Sequence, residues 1–177
     1  MNRSKWLFRA VWLIALIPLV IAWSLAFFGS QLGYKTKNHG ELAPDGIHVP
    51  AELMGSLDGK WGLLVLSQQC EEICRNQLYR MQQLHTAMGR DFQRLQPIWL
   101  AAQQPAVMPA ELDLKQVKTV TRPALVNWFS EQQLAWQDHS IWVIDPSGVV
   151  VMRFAPDLSG KQILSDIDWL LKASRIG

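Results

Sequence analysis

A chain of 177 residues, 49% hydrophobic and 18% charged, has material for one core and an additional element. Its net charge of +2 is spread without long basic runs, which argues against a nucleic-acid binder. Two cysteines are too few to build a tight zinc centre.

The first element is apolar. From Ala10 to Phe28 (AVWLIALIPLVIAWSLAFF) no residue is charged, and at helical rise the stretch reaches about 28 Å, close to the hydrocarbon thickness of a bilayer. Trp6, Trp12, Trp23, Phe27 and Phe28 fall toward its ends, where aromatic rings settle at the interface. Pro18 is tolerated in a span. Residues 10–30 are therefore predicted to be a transmembrane anchor. Residues 1–9 are placed in the cytoplasm, because Arg3, Lys5 and Arg9 precede the span while only Lys35 and Lys37 follow closely. The rival is a signal peptide cut at Ser24-Leu25-Ala26; the length of the apolar run and the bulky Phe27 and Phe28 beyond the cut favour the anchor. Under either reading the remainder faces an oxidising compartment, where two cysteines can pair.

Residues 31–58 read as a tether, rich in Gly and Pro and without sustained periodicity, that ends in a leading strand or loop. Residues 59–177 form the predicted domain. Trp61 to Ser67 (WGLLVLS) is an almost wholly apolar run, the mark of a central strand covered on both faces. Residues 71–88 place Ile73, Cys74, Leu78, Met81, Leu84 and Met88 three and four apart, an amphipathic helix that Gly89 can end. Ile98 to Ala102 is a second buried strand, Val117 to Thr121 a short extended piece, and Ala124 to Leu134 a helix behind Pro123. SIWVID and VVVMRF are strands separated by Pro146-Ser147-Gly148, a hairpin signal, and Ser159 can cap a last helix carrying Ile163, Leu164, Ile167, Leu170 and Leu171. A βαβ unit, a hairpin and a closing helix give an α/β, thioredoxin-like (βαβ–ββα) domain behind the anchor.

Both cysteines, Cys70 and Cys74, stand where the first strand gives way to the helix. One helical turn apart, they are within disulfide reach and could also clasp one ion. A structural disulfide, a metal site, a redox couple and coincidence stay open at this point. The helix start lowers a thiol pKa, but Glu71 and Glu72 between the cysteines disfavour a thiolate, which suits a bound cation better than an attacking thiol. Two soft sulfurs point to Cu(I), with an imidazole as third ligand. His85 lies about 16 Å along the helix from Cys74, and His39 and His48 fall in the tether and read as solvated. His139 precedes the SIWVID strand, whose start shares a sheet edge with the end of WGLLVLS. Thiol oxidoreductases of this fold generally carry a proline there; this chain has Asp138-His139-Ser140, which favours a ligand.

The anchor, the Cys70-x-x-x-Cys74 spacing and "DHSIWVIDPSG" at 138–148 resemble the Sco/SenC family of copper-binding cytochrome c oxidase assembly proteins, over roughly residues 55–177. "NHGELAP", "KWGLLVLSQQCEEICRNQLYRMQQ" and "DPSGVVVMRF" are similar to a shorter, single-span proteobacterial branch. The chain departs from the family in lacking prolines beside its cysteines and in the shortness of the stretch between Ala102 and Thr121 compared with longer members. The resemblance implies one copper ion, Cu(I) or Cu(II), on Cys70, Cys74 and His139, and its transfer to the dinuclear copper centre of the oxidase. It implies an oxidase subunit or other assembly factors as partners, and a bacterial inner-membrane protein with its domain in the periplasm. Two further functions stay open: a thiol–disulfide reductase using Cys70 and Cys74 to keep the oxidase's copper-ligand cysteines reduced, and a metal-free assembly scaffold.

Of the remaining features, Met81, Met88 and Met152 read as core, as do Trp61, Trp99, Trp142 and Trp169. Trp128 and Trp136 are candidates for a partner surface, and Asp145 is a turn residue.

Overall fold

The computed structural model describes residues 3–28, 38–103, 114–132 and 139–174. The chain divides into two compact units, Met1–Lys37 and Asn38–Gly177. The first unit holds α1 (Arg3–Phe28), an α-helix that Pro18 does not end. Its described side chains, Trp6 and those of residues 11–24, are all exposed. Among the described residues no helix is long and apolar enough to cross a membrane.

The second unit is built on a six-stranded sheet: β1 (Glu41–Leu42), β2 (Trp61–Ser67), β3 (Leu95–Ala101), β4 (Lys118–Thr121), β5 (Ile141–Ile144) and β6 (Val150–Phe154). The spatial order is β1-β6-β5-β2-β3-β4, so β1 and β4 lie at the edges. β2, β3 and β4 run parallel, while β5 is antiparallel to β2 and to β6, and β6 to β1. The helices are α2 (Ala51–Leu57), α3 (Glu72–Ala87), α4 (Pro123–Glu131) and α5 (Gly160–Ala173). The βαβ unit, hairpin and closing helix therefore stand in the expected order, a thioredoxin-like mixed α/β fold.

Every residue of β2 is buried. Alternation sends Leu63 and Val65 to one face, with Cys74, Leu78, Met81, Ile163 and Ile167, and Leu64 and Leu66 to the other, with Leu53, Leu57, Phe129 and Trp142. One sheet thus separates two cores, which is why the strand carries no polar face. β3 starts earlier than its apolar run suggests, because it accommodates Pro97. Its pairing with β4 begins only at Ile98, so no neighbour on that side asks Pro97 for an N–H. Between β5 and β6, Asp145 Oδ1 accepts from the Ser147 and Val149 amides at 2.9 and 2.8 Å, the expected turn role. Gly148 there has φ +87, and a Cβ would come within 2.8 Å of Met54. α5 opens with the expected Ser159 cap, elaborated into a box by Gln162.

Two side chains differ from their expected burial. Ile73 is 59% exposed and Trp169 is 64% exposed. The buried positions of α3 are 74, 77, 78, 81, 84 and 85, and those of α5 are 163, 166, 167, 170 and 171. Both outliers sit beside the stripe rather than in it. Met81, Met88, Met152, Trp61, Trp99 and Trp142 are core as expected. Trp128 is half-buried, its ring edge-on to Phe129 at 5.0 Å, and Trp136 lies outside the described residues.

Residues 38–58, part of the segment read as a tether, belong to the second unit and hold β1 and α2. They run beside β6 through Ala43 N to Val151 O, Val150 N to Ile47 O and Val49 N to Gly148 O, at 2.8–3.0 Å. α2 is short, but Leu53 and Leu57, one turn apart, bury completely.

Candidate thiol and metal site

β2 is the rod that delivers the cysteines. Cys70 follows its end and Cys74 lies in the first turn of α3, whose N-cap position is the extended Glu71. The two sulfurs are joined as a disulfide, with Cα atoms 5.0 Å apart. This pairing selects among the possibilities that the spacing left open for the oxidised chain. The two ends of the bond differ. Cys74 is fully buried in the core between sheet and α3, whereas Cys70 is half-buried and packs against that core from its rim. Glu71, Glu72 and Ile73 between them are exposed. An attacking thiolate reaches the outer sulfur more readily than the inner one.

His139 immediately precedes β5. Its amide donates to the carbonyl of Leu66 at 3.1 Å, close to the C-terminal end of β2 and four positions before Cys70. This is the sheet edge where the sequence placed it. Its φ of +66 is left-handed, a conformation rare for a side chain larger than glycine. Asp138 lies outside the described residues. Among the described residues no three His, Cys, Asp or Glu side chains gather closely enough to hold a metal ion. The oxidised pair also has no thiolate to offer. Two-electron reduction would free two soft sulfurs, and the donor set of two thiolates and an imidazole then fits a soft monovalent cation rather than a hard divalent one.

The other histidines are placed elsewhere. His85 Nε2 lies 2.9 Å from the Phe92 carbonyl oxygen and His48 bridges Val149 at the sheet edge. His39 differs from expectation: its Nδ1 lies 3.0 Å from Asp166 Oδ1, and its amide donates to Asp166 Oδ2 at 2.6 Å. It is docked, with its side chain still 40% exposed, because Asp166, on the buried face of α5, needs donors and the incoming segment supplies them.

Sequence reasoning missed the polar frame around the site. Ser67 Oγ, at the end of β2, accepts from the Trp99 indole N–H at 2.9 Å. One turn beyond Cys74, Gln77 and Arg80 donate to the Pro156 carbonyl at 3.1 and 2.7 Å, fixing the β6–α5 turn against α3. Arg153 reaches Ser140, the residue after His139. The only signal for these was a polar residue on an otherwise apolar face or strand.

A family model described as "Transmembrane-like, thioredoxin-like, C-terminal domain" matches residues 61–174. No curated protein matches the sequence. Solved structures with a similar fold include Sco1 of yeast, at 19% identity and a TM-score of 0.54 over 68% of this chain and 85% of that one. Yeast Sco1 with copper bound is similar at 19% identity and 0.54, over 68% and 84%. ScoI of Arabidopsis thaliana with copper bound is similar at 10% identity and 0.52, over 68% and 89%.

Proposed function

From the premise that the chain belongs to the family of transmembrane-like, thioredoxin-like C-terminal domains, we propose that it is a membrane-anchored, Sco-like copper-binding protein assisting assembly of the copper centre of cytochrome c oxidase. One observation carries the reading: the His139 amide bonded to Leu66 pins an imidazole-bearing residue to the strand that leads to the cysteine pair. The copper is cargo. In the reduced chain Cys70 and Cys74 would supply two thiolates and His139 a neutral nitrogen, and Glu71 and Glu72 would add negative charge nearby. The oxidised chain would bind nothing, so a dithiol donor must first supply two electrons and two protons, leaving as its own disulfide.

Titrating the reduced full-length chain with Cu(I) against a chromophoric chelator tests this. One equivalent is expected to bind, none to the oxidised chain, and His139→Ala is expected to weaken binding about tenfold or more. Reduced wild-type protein that takes up no Cu(I) would end the reading. A second reading, a thiol–disulfide reductase, is favoured by the unequal burial of the two sulfurs. Cu(I)-free protein that reduces the cysteine pair of an oxidase copper-site peptide would establish it, and indifference of oxidase assembly to both cysteine substitutions would leave only the metal-free scaffold.

The anchor is part of the same proposal. Within its own unit α1 exposes Trp12, Ile14, Leu19, Val20 and Trp23 around its circumference, and a helix apolar on all sides needs an apolar medium. Residues 10–30 would span the bacterial inner membrane once, with the domain in the periplasm. The full-length chain is expected to stay with the membrane pellet through an alkaline wash, and a variant lacking residues 1–30 to appear in the supernatant. Full release of the full-length chain by the wash would refute the anchor.

A further inference from the structure

Arg153 is 7% exposed, on a β-strand whose neighbours in the same layer are Leu64, Leu66, Trp142, Ile144 and Val150. An apolar residue would fill such a place without the cost of desolvating a guanidinium, and a buried charge persists only where its donors are satisfied. Its two arms reach different parts of the chain. Nη1 donates to Ser140 Oγ at 3.3 Å, and Nη2 donates to Glu41 Oε2 at 2.5 Å. Ser140 is wholly buried and directly follows His139. Glu41 belongs to β1 and pairs in register with Arg153, which in turn pairs with Trp142 on β5.

His139 needs such support. Among the described residues only it and Asp58 combine a side chain with positive φ, and a strained backbone persists only when its surroundings over-determine it. The Leu66 carbonyl holds the His139 amide on one side. On the other, the side chain of the next residue, Ser140, accepts from one arm of a buried arginine.

We propose that Arg153 is a positioning residue for His139: braced by Glu41 on the incoming segment, it fixes Ser140 and thereby the left-handed backbone that presents the imidazole. The inference rests on the reading of His139 as a copper ligand. It adds that the ligand's placement depends on a cation from β6 and an acid from β1, neither of which touches copper.

The test uses the reduced full-length chain with Arg153→Met and Ser140→Ala, and reads two quantities. The first is Cu(I) affinity by chelator competition; the second is the three-bond amide-to-Hα coupling of His139 without copper, which reports φ. Both variants are expected to lower the affinity about tenfold at unchanged stoichiometry and to move the His139 coupling. In a His139→Ala background Arg153→Met is expected to cost nothing further, since the two act as a unit. Should Arg153→Met fail to fold, Ser140→Ala, which leaves the Arg153–Glu41 pair intact, carries the test. Variants that melt lower but keep the wild-type coupling and copper affinity would overturn the proposal, as would additive losses with His139→Ala. If wild-type protein takes no copper yet the coupling moves, the positioning role stands and the copper reading falls.

Discussion

Cys70→Ser is expected to lower the Cu(I) affinity of the reduced chain by about 100-fold or more, near 2.8 kcal/mol, because a hydroxyl is a hard, weak ligand where a thiolate is soft and strong. Competition against a chromophoric chelator measures it. Cys70 is the better cysteine to replace: it is half-buried, so a serine hydroxyl there can find water. Cys74 is fully buried, and a hydroxyl left there without a partner would cost about 1–3 kcal/mol. Cys74→Ala separates the lost ligand from that penalty. Either substitution also removes a bridge across a sequence separation of 4, worth about 2 kcal/mol in loop-closure entropy. Oxidised wild type should therefore melt above reduced wild type, and Cys70→Ser should melt with the latter. A Cys70→Ser protein that binds Cu(I) as tightly as wild type would remove Cys70 from the site.

Asp166→Ala is expected to lower the unfolding free energy by about 3 kcal/mol and the melting temperature by about 9 °C. Asp166 is 4% exposed and has three partners on the incoming segment: the His39 and Gly40 amides, which donate at 2.6 and 2.9 Å, and His39 Nδ1 at 3.0 Å. Alanine strands the buried Gly40 amide and releases the turn that precedes Glu41. Asp166→Asn keeps one carbonyl acceptor and should lose about half as much. Thermal unfolding followed by circular dichroism decides the matter. An Asp166→Ala chain that melts with wild type would show that these three bonds hold nothing together.

Strong periodicity made most of the fold legible. WGLLVLS, the helix behind Cys70, SIWVI, VVMRF and the Ser159-capped helix declare themselves through apolar spacing and caps. Their order alone brought Cys70, Cys74 and His139 to one sheet edge. What escaped lies between residues 38 and 58, where the composition is that of a loop. α2 has a single buried pair, Leu53 and Leu57, and a glycine within it, too little signal against Pro50 and Gly59. β1 earns its place only through partners far along the chain, Met152 and Arg153, which no local pattern can announce. His39 looked solvated for the same reason, since Asp166 is separated from it by 127 positions. Ile73 and Trp169 mislead in the opposite direction: hydrophobic character suggested burial, and the helical phase denied it.

The two outer strands are very short. β1 runs for two residues and β4 for four, and Lys118 of β4 is paired with Asp58 across its flank. Strands of this length, one of them charged, make poor templates for a second chain seeking unsatisfied peptide groups. Crowded copies of the domain would therefore meet blunt borders instead of a ladder to extend, and fibrillar self-association would have to begin by first unravelling the sheet.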